Sequence, residues 1–353
     1  LEQVQGEPDP QVVPAPPSRA AVFLVLAVEP GGHRAVREWL AGLGGLVRSL
    51  GLRAPEARLS CVAGVGAAVW DELYGGPRPA GLHPFRELRG PRHLAPSTPG
   101  DVVLHVRATR MDLCFELATR CTRGLAGAAR VVDETHGFAY FDQRDLLGFV
   151  DGTENPVGAK AARAVYVGAE DPQYAGGSYL VVQKYLHDLG SWDALTVEQQ
   201  ERVIGRTKLA DVELADQAAD SHVALNQVEG PDGEEQQILR ANMAFGSVGR
   251  GEYGTYFAGY CRTPEVTEEM LRRMFLGTAE AAHDRILDFS IAVTGSLFFV
   301  PDADFLADPP DPAGASLEAA TGDGSLGIGG LKHLLHPAPT ETPTEAPIET
   351  KAF

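Results

Sequence analysis

Apolar and polar positions alternate along the chain in two blocks that follow the same order. In the first, residues 21–28 form a continuous apolar run of strand length, and Val36, Trp39, Leu40, Leu43, Val47 and Leu50 then recur at helical spacing. Strand-like runs follow at 59–66 and 102–107, then a helix with Met111, Cys114, Leu117 and Cys121 on one face, then a strand within 129–140. The second block offers a strand at 178–185 and a helix opening on Thr196, whose spacing to Gln199 is that of a capping box. Extended runs at 237–243 and 254–260 come next, then a helix started by Thr263 with Pro264 at its first position, and a last strand at 294–300. The pattern predicts an α+β fold of two ferredoxin-like halves, each β-α-β-β-α-β with an antiparallel sheet, and a cleft between the halves or beside one sheet. Residues 1–18, rich in Pro, Gln and Glu, read as a flexible arm able to pack on a neighbour, 19–147 as the first half and 148–306 as the second. Residues 307–353 read as a linker-like tail, in which Pro337, Pro339, Pro343 and Pro347 exclude a stable helix.

Charge removes several functions from consideration. With 30 Lys+Arg against 48 Asp+Glu the net charge is −18, which disfavours nucleic acid and anionic lipid as partners. The longest apolar run is too short to span a bilayer, and the acidic segment before it lacks the basic start of a signal peptide, so a soluble cytoplasmic protein is expected. The four cysteines, Cys61, Cys114, Cys121 and Cys261, include no C-x-x-C pair and read as reduced core thiols.

The segment richest in chemistry is Gly148-Phe149-Val150-Asp151-Gly152-Thr153-Glu154-Asn155-Pro156. By composition it fits an ordinary Asx turn. In the extended run 237–243, Arg240 and Asn242 project from one face, which in isolation fits an amphipathic surface strand better than a functional site. The wider pattern favours function: the Gly-x-x-Asp-Gly-Thr-Glu-Asn-Pro segment, Asp220-Ser221-His222-Val223-Ala224-Leu225-Asn226, Ile238-Leu239-Arg240-Ala241-Asn242-Met243 and Thr294-Gly295-Ser296-Leu297-Phe298-Phe299-Val300-Pro301 together resemble the dye-decolourising peroxidases, B-type subgroup, over residues 18–306. The resemblance implies a non-covalent haem b, iron protoporphyrin IX, with His222 as its axial iron ligand and Asp284 orienting that ligand. It implies a distal set of Asp151, Arg240 and Asn242, and Arg206 as a propionate anchor, with Lys208 a weaker choice. Phe257, Leu297 and Phe299 are expected against the porphyrin plane, whereas His136 and His187 are read as structural. The activity implied is reduction of hydrogen peroxide with oxidation of aromatic or dye-like one-electron donors. A haem carrier without turnover and another haem enzyme, deferrochelatase-like, remain as alternatives, since related folds host several chemistries.

The tail contains one island of aliphatic residues among glycines, residues 323–332, in which Leu326, Ile328 and Leu331 are spaced to fill shallow pockets. It resembles the cargo-loading peptide of dye-decolourising peroxidases, with Gly330 where that pattern has Ser. The resemblance implies an encapsulin shell as partner, a location inside the nanocompartment, and a homo-oligomer as cargo.

Overall fold

A strand whose two faces are both covered has no reason to alternate, and the first strand bears this out with nine apolar residues, seven of them buried. The computed structural model describes residues 8–230 and 233–310. The first block folds as β1 (Ala20–Val28), α1 (His33–Gly51), β2 (Ser60–Gly66), α2 (Trp70–Tyr74), a hairpin of β3 (Leu88–Arg89) and β4 (Leu94–Ala95), β5 (Val102–Ala108), α3 (Met111–Gly124) and β6 (Ala129–Phe138). The second begins with α4 (Ala159–Val165), β7 (Ser178–His187), α5 (Leu189–Asp193), α6 (Val197–Ile204), α7 (His222–Asn226), β8 (Val228–Glu229) and β9 (Glu235–Gln236). It ends with β10 (Leu239–Arg240), β11 (Met243–Ser247), β12 (Glu252–Cys261), α8 (Pro264–Leu276), β13 (Ser290–Ala292), β14 (Ser296–Val300) and α9 (Ala303–Ala307). The capping box predicted at Thr196 and Gln199 starts α6, and Pro264 opens α8.

Each half has the ferredoxin-like strand order, β6-β1-β5-β2 and β14-β7-β12-β11, with every pairing antiparallel. The two sheets are not separate. β2 meets β14 through Phe298↔Gly66 and Phe299↔Val65, and β6 meets β11 through Ala244↔Phe138, so the strands close into a ring. Alternate residues point inward, among them Ala21, Phe23, Val25, Val103, Leu180, Val182, Tyr256, Phe298 and Val300. Phe23 stacks between His105 and Tyr256 at centroid distances of 4.3 and 4.1 Å.

The arm expected to be loose is packed where it is described. Val13 is fully buried in the ring interior, and the Gln11 amide bonds the backbone of Ala63 in both directions as well as Pro301 O. Arg107 donates to the carbonyls of Val12 and Val13. The arm satisfies polar groups at the ring's end, a role for which proline-rich composition gives no signal.

The helices cover the outer faces unequally. α1 and α3 close the first half with Val36, Leu40, Leu43 and Leu50, and with Cys114, Leu117 and Cys121. All four cysteines are free thiols, and burial pushes Cys114 and Cys121 up to about 12, far from reactive thiolates. On the second half α8 packs Met270, Leu271, Met274 and Phe275 inward, whereas α5 and α6 form a separate small core in which Trp192, Val203 and Ile204 pack with Leu147 and Phe149. Between that core, α7, α8 and the strands lies a cavity.

Candidate active site

The cavity holds about 1590 Å³ of non-atom space, its open mouth included. One wall is the loop containing Asp151. Gly148 and Gly152 take φ of 91° and 85°, a left-handed conformation that folds this loop back on itself at little cost only for glycine. Arg144 bonds the carbonyls of Gly148 and Lys208, and Asp151 N donates to Gln143 O. Asn155 then fastens the loop to β10: its amide donates to Arg240 O and accepts from Arg240 N, both at 2.8 Å, as a neighbouring strand would. Predicted as one extended run, 237–243 is split into β10 and β11, because Asn242 bonds Ala258 N through its side-chain oxygen at 3.2 Å. The register against β12 nevertheless continues from Arg240↔Gly259 to Met243↔Tyr256, so the alternation holds. Arg240 and Asn242 line the cavity, while Leu239, Ala241 and Met243 pack with the ring interior.

Three of the predicted residues therefore converge. Asn242 Nδ2 donates to Asp151 Oδ1 at 3.1 Å, and the Arg240 guanidinium has no hydrogen-bond or ion-pair partner among the described residues. Burial raises the Asp151 carboxyl above its usual range, and the Asn242 hydrogen bond, Arg240 and His222 oppose the rise.

The second wall is α7. Ser221, fully buried, caps it and places His222 at the first helical position. His222 Nδ1 lies 2.7 Å from Asp284 Oδ2, and the other Asp284 oxygen accepts Ile286 N at 3.0 Å. With no exposed surface, Asp284 is fixed, and it fixes the ring. His222 Nε2 has no partner among the described residues and the ring lines the cavity. An imidazole with one nitrogen held by a buried carboxylate and the other free is the donor arrangement of an axial metal ligand. Met270, Leu271, Met274, Ile286 and Phe257 supply an apolar lining suited to a flat hydrophobic cofactor.

Comparison with known proteins gives this arrangement its context. The profile described as Dyp-type peroxidase, N-terminal, matches residues 10–139, and that described as Dyp-type peroxidase, C-terminal, matches 142–305. The chain belongs to the Dyp-type peroxidase family. It is 58% identical over 327 residues to the dye-decolorizing peroxidase of Mycolicibacterium paratuberculosis, covering 92% of each chain. Among solved structures it is similar to the encapsulated DyP-type peroxidase from Mycobacterium smegmatis, with a TM-score of 0.85, 57% identity, and coverage of 86% of this chain and 99% of that one. A DypB variant from Rhodococcus jostii RHA1, described in complex with heme, aligns with a TM-score of 0.83 at 54% identity, covering 86% and 99%. The chain is thus a peroxidase of the family's two-domain fold, and the neighbouring DypB agrees with the B-type subgroup.

Not every residue expected around the cofactor of a Dyp-type peroxidase lies there. Leu297 and Phe299 do not line the cavity: both are buried in the core, where Phe299 packs edge-on against Trp70, Tyr174 and Tyr179. Arg206 lines the mouth, but it is already paired with Glu154 at 2.7 Å, Glu213 at 2.9 Å and Asp211 at 3.0 Å. It also donates to Asp211 O, which leaves one N–H without a partner among the described residues, so its first role is to clamp an acidic cluster. Lys208 bonds Gln200 and does not line the cavity. His136 pairs with Glu134 outside the cavity, whereas His187 lines it, held by Ser290 and Thr255 and pushed down to about 4 by burial.

Two residues escape sequence reasoning. Asn155 is visible only as the end of a turn motif, and its role depends on a strand 85 residues away. Asp145 lines the cavity near Asp151, and burial together with that second carboxylate pushes it up to about 7. Its neighbours Gln143, Arg144 and Leu146 form no motif; its place six residues before Asp151 was the available hint.

Proposed function

We propose that this Dyp-type peroxidase binds haem b non-covalently in the cavity, with His222 on the iron and Asp284 orienting it, and reduces hydrogen peroxide while oxidising aromatic or dye-like donors. The carrying observation is the meeting, in the lining of one cavity, of His222, held by Asp284, with the Asp151–Asn242–Arg240 set. The heme described in the Rhodococcus jostii neighbour supports the same cofactor here. When bound, haem supplies the iron and the redox capacity for peroxide cleavage and one-electron oxidation.

The chain's own residues do the rest. Asp151, ionised, would accept the proton of one peroxide oxygen on its carboxylate and return it to the other, so that this oxygen leaves as water with electrons supplied by the bound haem. Asn242 holds the Asp151 carboxylate in one orientation. The Arg240 guanidinium, charged at any working pH and without a partner of its own, donates to the oxygens on which negative charge develops. Asp145 lines the same cavity as a second carboxyl of raised pKa, available to hold a proton near Asp151. Phe257 would pack on the cofactor, and the last N–H of Arg206 would be available to a propionate. Haem-loaded protein mixed with hydrogen peroxide and an aromatic dye should bleach the dye far faster than free haem does; bleaching no faster than free haem contradicts the proposal.

The shell partner belongs to the same proposal. Residues 323–332 lie outside the described residues, and the reading rests on their resemblance to a cargo-loading peptide and on the encapsulated state of the Mycobacterium smegmatis neighbour. Deleting 323–332 should abolish co-purification with the shell and leave peroxidase activity unchanged. A homo-oligomer rests on packaging alone, since residues 11–13 pack on their own chain. Among the described residues no helix is long and apolar enough to cross a membrane.

A further inference from the structure

We infer that His93, His283 and Asp288 form a second metal site, separate from the cavity, for a borderline divalent cation such as zinc. His93 sits in the turn between β3 and β4, His283 lies two residues before the one-turn helix Arg285–Asp288, and Asp288 is that helix's last residue. The fold brings these segments together from positions 195 residues apart. His93 Nε2 lies 3.1 Å and His283 Nε2 3.0 Å from the same oxygen, Asp288 Oδ1, and the donor atoms all fall within 4.8 Å of one another.

The geometry suits a metal. Ligands about 2.1 Å from one ion stand roughly 3.0 Å apart at octahedral angles and roughly 3.4 Å at tetrahedral ones. Both nitrogen-to-oxygen separations are already in that range, so an ion would keep each histidine at about its present distance from Asp288 while the two ring nitrogens, within 4.8 Å of one another, close in on it. Two imidazoles and one carboxylate favour zinc, nickel, cobalt or copper over the hard cations magnesium and calcium, and water completes the coordination. The rings are largely shielded, at 19% and 11% exposed, while Asp288 at 33% leaves a way in. One competitor is present: Arg92 Nη1 stands 3.9 Å from Asp288 Oδ1, but its side chain is 68% exposed and swings into solvent at little cost.

The position gives the ion a structural effect. It would tie the β3–β4 hairpin to the turn that begins at Asp284, the residue bonded to His222. The test uses untagged, haem-loaded protein freed of metal with a chelator and titrated calorimetrically with zinc chloride. The expected result is one tight site per chain, weakened about tenfold or more in both His93→Gln and His283→Gln and strengthened in Arg92→Ala. Zinc should raise the melting temperature of the wild type and not of His93→Gln, whose circular dichroism should match the wild type's. Absence of saturable binding in the wild type overturns the inference. So does unchanged affinity in both histidine variants, which would place zinc elsewhere, for example at Glu154, Asp211 and Glu213.

Discussion

The two halves share one topology and use it differently. In the first, the connection after β1 is the long helix α1, whose Val36, Leu40, Leu43 and Leu50 fill the outer face of the sheet. In the second, the connection after β7 holds three short helices, α5 to α7, and two of them turn inward on a core of their own around Trp192. Where one half has a packed helix, the other has a cavity with His222 on its wall. The lesson is that a duplicated fold gains a site where a helix that should cover the sheet is broken up, while the closed ring joins the two halves into one core.

That contrast can be broken from either side. The largest effect should come from the ring: Phe23→Ala removes a fully buried ring from the stacked interior and should cost about 3–5 kcal/mol of stability, while the folded fraction keeps its turnover rate. Denaturant unfolding with activity normalised to folded protein checks this; a turnover loss at full folding would mean that the ring shapes the chemistry directly. Next, Arg240→Leu should slow the reaction with peroxide about 100- to 1000-fold at unchanged stability, as loss of a charge-stabilising donor does. Stopped-flow mixing with peroxide measures it. Asp151→Ala should also slow peroxide cleavage, toward the lower end of the roughly 100- to 10,000-fold span of acid–base catalysis. In the wild type the rate should fall on acidification at a pH above the ordinary carboxylate range, because Asp151 accepts a proton only when ionised and its carboxyl is raised.

The last effect concerns Asp145. Its folded-state value of about 7 lies above that of an unfolded carboxylate, so the native state binds the proton more tightly, and the stability this contributes at low pH is lost as pH rises through about 7. Asp145→Asn, which mimics the protonated form, should therefore gain on the wild type by up to about 4 kcal/mol between pH 4 and pH 8, roughly three pH units at about 1.4 kcal/mol each, and show only the smaller part of that advantage at pH 5. A gap that stays flat with pH would remove Asp145 from the proton network.

Much of this was legible in the chain itself. Helical spacing from Val36 to Leu50, the Thr196–Gln199 cap and the unbroken apolar β1 are local signals, and local signals identify elements. The two-residue spacing of Arg240 and Asn242 placed both on the cavity side even though the strand breaks between them. Closure of the ring was not legible, because its narrower seam rests on the single pair Ala244↔Phe138. Alternation in β14 put Leu297 and Phe299 on one face, but no pattern within a strand says whether that face meets a cofactor or a neighbour such as Trp70. Asn155 on the backbone of Arg240, and His93 beside Asp288, depend on contacts across 85 and 195 residues, beyond the reach of any local pattern.

The central claim is that His222, fixed by Asp284, binds haem in the cavity of a working peroxidase. Absorption spectra of haem-loaded wild type and His222→Ala, each before and after one equivalent of hydrogen peroxide, test it most directly. The account predicts a ferric Soret band in the wild type that changes rapidly on addition of peroxide, and a mutant whose band is lost or shifted. A wild type that binds no haem, or a mutant with an unaltered spectrum and peroxide response, would contradict it.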